Sequence, residues 1–62
     1  MPTFRVSIRR PSTQAPIWDF AQTVVAATQN AAINIAYDSW VADKPTPAPP
    51  ALNLCQCQAV VK

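Results

Sequence analysis

The chain contains no glycine, no histidine and no glutamate, and only 13% of its residues are charged, about half the share in ordinary soluble domains. Each absence excludes something. Without Gly there is no glycine-rich loop to cradle a phosphate. Without His the commonest acid-base group and metal ligand is missing. The carboxylates are Asp19, Asp38 and Asp43, widely spaced, and Ser7, Ser12 and Ser39 have no imidazole to activate them. Lys44 precedes a proline in the Pro-rich connector and offers no catalytic setting. No catalytic residue, cofactor or metal site is expected, and the protein is read as non-enzymatic.

Large aliphatic side chains are also scarce. Eleven of the 62 residues are Ala and only Leu52 and Leu54 are Leu, so the 50% apolar content comes in small pieces. A chain below about 70–80 residues already has difficulty building a self-sufficient core. We therefore expect one small domain, residues 1–62, that gains stability from protein partners or from copies of itself.

Two cysteines remain, as Cys55-Gln56-Cys57. On a strand both sulfurs would share a face. The pair is neither the Cys-x-x-Cys redox pattern nor half of a usual zinc site, and it reads as two soft residues packed on a strand face. The N-terminus (Met1-Pro2-Thr3-Phe4-Arg5) has no apolar core of a secretory signal. Together with the sparse cysteines, this suggests the cytoplasm or the interior of a virus particle. The longest uncharged run, Phe20 to Tyr37, is eighteen residues but carries six amide or hydroxyl side chains before Tyr37. No membrane span is expected from it.

What is present begins with a clean alternation. Phe4, Val6 and Ile8 interleave with Arg5, Ser7 and Arg9, the pattern of a half-buried strand over residues 3–9 that ends at Arg10-Pro11. A helix fits residues 16–28, with Pro16 in its first turn and Ile17, Phe20, Ala21, Val24 and Ala27 on one stripe. The β-branched run Thr23-Val24-Val25 argues against it. Residues 32–41 alternate as a strand, placing Ile33, Ile35, Tyr37 and Val41 opposite Asn34, Asp38 and Trp40. Residues 44–50 are a Pro-rich connector, and residues 52–61 alternate again. The expected fold is α+β, a small β-α-β-β sheet with one helix and extended termini. The alternatives are a mostly β chain and one long helix flanked by strands.

Arg5, Arg9 and Arg10 place three cations in the first ten residues, while the rest of the chain sums to −1. Such an arm suits phosphates or carboxylates, but three charges are few for nucleic acid and no aromatics interleave with them. Tyr37 and Trp40 are the best aromatic anchors, because such side chains bury much area with few rotors. Arg5, Arg9, Arg10, Tyr37 and Trp40 thus form the candidate interface. The functional expectation is a structural subunit of a larger assembly, such as a cement, minor capsid or tail component of a phage or virus, binding through strand edges and extended termini. The alternative is a free small binding module, either an inhibitor or a nucleic-acid-associated regulator.

Overall fold

The computed structural model describes residues 1–62. Three strands and one α-helix follow in the order β1 (Thr3–Arg9), β2 (Phe20–Val25), α1 (Gln29–Ala42) and β3 (Gln56–Val61), with a 3-10 turn at Leu52–Leu54. The fold is α+β, an antiparallel sheet of order β2-β1-β3 with one helix. β2 and β3 both run antiparallel to β1, hence parallel to each other. The chain between them must therefore cross over β1, and α1 makes that crossing on one face of the sheet.

The middle of the chain is the reverse of the expected order: strand then helix, not helix then strand. The run Phe20-Ala21-Gln22-Thr23-Val24-Val25 pairs with β1 from Thr3↔Val25 to Ile8↔Phe20. Its β-branched residues suit a pleated strand better than a helix. The helix begins instead at Thr28, an extended N-cap whose Oγ1 accepts a bond from the Ala31 N–H at 3.1 Å. Ala32, Ala36 and Trp40, spaced by four, form its buried stripe. The alternation across residues 32–41 misleads because Ile35 and Val41 are apolar yet exposed. Apolar side chains run most of the way round this helix, so its 3.6 period is faint.

Eight residues are buried: Phe4, Val6, Ile8, Val24, Ala26, Ala32, Ala36 and Trp40. Phe4, Val6 and Ile8 alternate into this core as the sequence indicates. Ala32 and Ala36 are fully covered, and their small side chains let the helix backbone approach the sheet closely. The whole chain exposes 4045 Å², close to the roughly 3,900 Å² of a compact monomer of this mass. The termini are not free arms. The Ala26 N–H bonds the Pro2 carbonyl at 3.1 Å and the Lys62 N–H bonds the Thr3 carbonyl at 2.8 Å, so both ends lie within the sheet.

Candidate functional site

The five candidate interface residues divide into two groups. Arg10, Tyr37 and Trp40 make contacts within the fold, Trp40 buried and the other two half-buried. The Asp19 carboxylate accepts from the Arg10 backbone N–H at 2.7 Å, the Thr13 hydroxyl at 2.7 Å and the Arg10 guanidinium at 3.2 Å. That guanidinium also donates to the Pro47 carbonyl at 2.6 Å and lies 4.9 Å from the Trp40 ring centre. Trp40 is 3% exposed and stacks on Phe20 at 6.0 Å. The Tyr37 hydroxyl donates to the Pro50 carbonyl. These three side chains lash the Pro-rich connector and the loop after β1 to the helix. Trp40 is thus a core residue, not a surface anchor. It follows Ala32 and Ala36 along one helical stripe, whereas a strand would have turned it outwards.

Asp19 is held below the ordinary carboxylate range, first by the Arg10 backbone hydrogen bond and then by Thr13 and the Arg10 charge, against the opposing effect of burial. Both thiols are free and are pushed up by burial, which disfavours the reactive thiolate. Cys57 lies on the helix-facing side of β3, paired with Ile8, whereas Cys55 precedes the strand. The Cys55 thiol lies 3.6 Å from the Ala51 carbonyl.

Arg5 and Arg9 share the other face of the sheet, which no element covers. The register puts Thr3, Arg5, Ser7 and Arg9 there, beside Ala21, Thr23 and Val25 of β2 and Gln56, Gln58 and Val60 of β3. No carboxylate lies on this face. Arg9 is occupied: its guanidinium donates to Gln56 Oε1 and lies 4.8 Å from the Trp18 ring centre. Arg5 is exposed and has no hydrogen bond or ion pair.

The sheet has two outer edges, and hydrogen-bond phase tells which groups they present. In antiparallel pairing, alternate residues of a strand bond to the same neighbour. The bond from Ala26 to Pro2 therefore directs Val24, Gln22 and Phe20 towards β1, and Ala21, Thr23 and Val25 away from it. On β3 the bond from Lys62 to Thr3 leaves Cys57, Ala59 and Val61 facing outwards. Gln29 covers part of that second edge by donating to the Ala59 carbonyl at 3.2 Å. β2 carries no Pro and no charge, the usual protections of an edge strand.

A shallow cavity of about 180 Å³ is lined by Arg5, Ala21, Gln22 and Thr23. By register, Arg5, Ala21 and Thr23 project to the open side of the sheet and Gln22 to the helix side. Gln22 Oε1 is buried without a hydrogen-bond partner within the chain. The sequence reading placed Arg5 correctly on the solvent side of β1 but missed β2, Thr23 and Gln22. The signal was the alternation of Phe20, Gln22 and Val24 with Ala21, Thr23 and Val25. No protein-family model, curated protein or solved structure matches the chain, and no helix is long and apolar enough to cross a membrane.

Proposed function

We propose that this protein is a small, non-enzymatic subunit that joins a larger assembly through the free edge of β2. The observation that supports this reading is that edge itself: six uncharged residues whose outward N–H and C=O groups at Ala21, Thr23 and Val25 have no neighbour. An edge of this kind is a template for an added strand, which gains affinity from main-chain hydrogen bonds. The thin core points the same way. Eight buried residues of 62 give little surplus stability, and a bound partner adds to it by mass action.

β1 is the central strand, so its own edges are used within the fold, and the docking edge is that of β2. The test removes one hydrogen-bond donor from the edge. Thr23→Pro deletes an outward N–H that has no partner within the fold, a substitution that edge strands tolerate, and should leave folding intact. The tagged wild-type chain, expressed in the cells it comes from and sedimented from their lysate, should run in a fast fraction. Thr23→Pro should run as a free chain. Wild type running as a free chain would sink the reading.

A further inference from the structure

Building on that docking reading, we infer that the strand received by β2 belongs to a different chain and carries a carboxylate, Asp or Glu, on the open-face side, where it meets Arg5. The open face holds two guanidinium groups and no acid, and only Arg5 lacks a partner. Arg5 sits beside Thr23 in the cross-strand register, and both line the same shallow cavity. Thr23 is small, so the Arg5 side chain can reach across it. An incoming residue opposite Thr23 would lie two strand spacings from Arg5, about 10 Å between backbones, a gap that an Arg and a Glu side chain span together.

The charge argument also selects against a second copy of this chain. Symmetric pairing of β2 with β2 would bring only Ala21, Thr23 and Val25 to the open face and would leave Arg5 unanswered. The chain's own acids are elsewhere: Asp19 is bound by Arg10, and Asp38 and Asp43 lie on the helix and its C-cap. A single-stranded nucleic acid is the less suitable occupant. It would satisfy Arg5 but not the outward N–H and C=O groups of β2, and the Trp18 ring it would stack on is already faced by Arg9.

The probes are capped nine-residue peptides alternating Thr and Val, with Glu, Gln or Lys at the centre, and a ten-nucleotide oligouridine. Each is titrated into the full-length, isotope-labelled protein while backbone amide shifts are followed. The Glu peptide should move the Ala21, Thr23 and Val25 amides and bind about two- to fivefold more tightly than the Gln peptide, the span of an exposed ion pair. The preference should shrink with salt and vanish in Arg5→Gln, whose unchanged amide pattern elsewhere reports an intact fold. Equal binding of all three peptides at β2 would overturn the acidic partner yet keep the docking edge. Self-association through β2 in the unmixed protein, or tighter binding of oligouridine, would overturn it in favour of those occupants. No shift at β2 with any peptide, together with Thr23→Pro sedimenting like the wild type, would remove the docking edge as well.

Discussion

Arg10 and Asp19 hold together more of this molecule than any other pair of side chains. The carboxylate receives three donors, and the guanidinium touches the connector and the Trp40 ring. Asp19→Asn keeps the shape but weakens each charge-assisted bond, and should cost about 2 kcal/mol in chemical denaturation. Acid should act in the same direction. The folded-state pKa of Asp19 is depressed, so the unfolded chain takes up its proton first as pH falls. Asp19's contribution is thus fully present above the ordinary value near 3.9 and is lost as pH drops below it towards the folded value. Denaturation midpoints measured from pH 6 to pH 2 should fall more for wild type than for Asp19→Asn. Lys44 raises a separate matter of backbone strain. It follows the C-cap Asp43 with φ of 52°, the left-handed position that Gly usually fills after a helix. In a chain without glycine, a Cβ is forced into that region, at about 1 kcal/mol. Lys44→Gly should recover part of this as a higher melting temperature.

At the scale of elements, the sheet's phase is the feature most open to direct measurement. If Ala26 and Lys62 set the hydrogen-bond pattern as described, amide exchange in β2 should alternate. Gln22 and Val24 should be protected, and Ala21, Thr23 and Val25 should exchange rapidly in the isolated chain. A uniformly protected β2 would mean either a different register or an occupied edge. The helix depends on Trp40, which joins its stripe to Phe20 of β2 and to the Arg10 clamp. Trp40→Ala removes the largest buried side chain and should cost about 3–5 kcal/mol. In so small a core that is enough to lose cooperative unfolding, visible as a broadened or absent thermal transition by circular dichroism.

For the molecule as a whole, the proposed function rests on a division between two sheet faces. One is closed by α1 and supplies what core there is. The other stays open, with a free Arg5 and an uncharged edge beside it. Several parts of this were legible along the chain. The alternation of Phe4, Val6 and Ile8 with Arg5, Ser7 and Arg9 is local, and a period of two marks a half-buried strand wherever it occurs. The scarcity of large aliphatic residues likewise indicated a thin core, and eight residues are buried. The order of strand and helix between residues 17 and 42 was not legible. Ala-rich stretches that alternate with Ile and Asn satisfy both periods, and only packing against Phe4, Val6 and Ile8 selects the helix. The roles of Arg10 and Trp40 were hidden for a related reason, since their partners Asp19, Pro47 and Phe20 are distant in sequence. The sequence by itself thus determined which residues favour burial and where charge is absent. Tertiary structure alone decided that β1 lies in the centre and that β2 is left with an open edge. Strand neighbours are chosen by long-range pairing, and that leaves no local period to read.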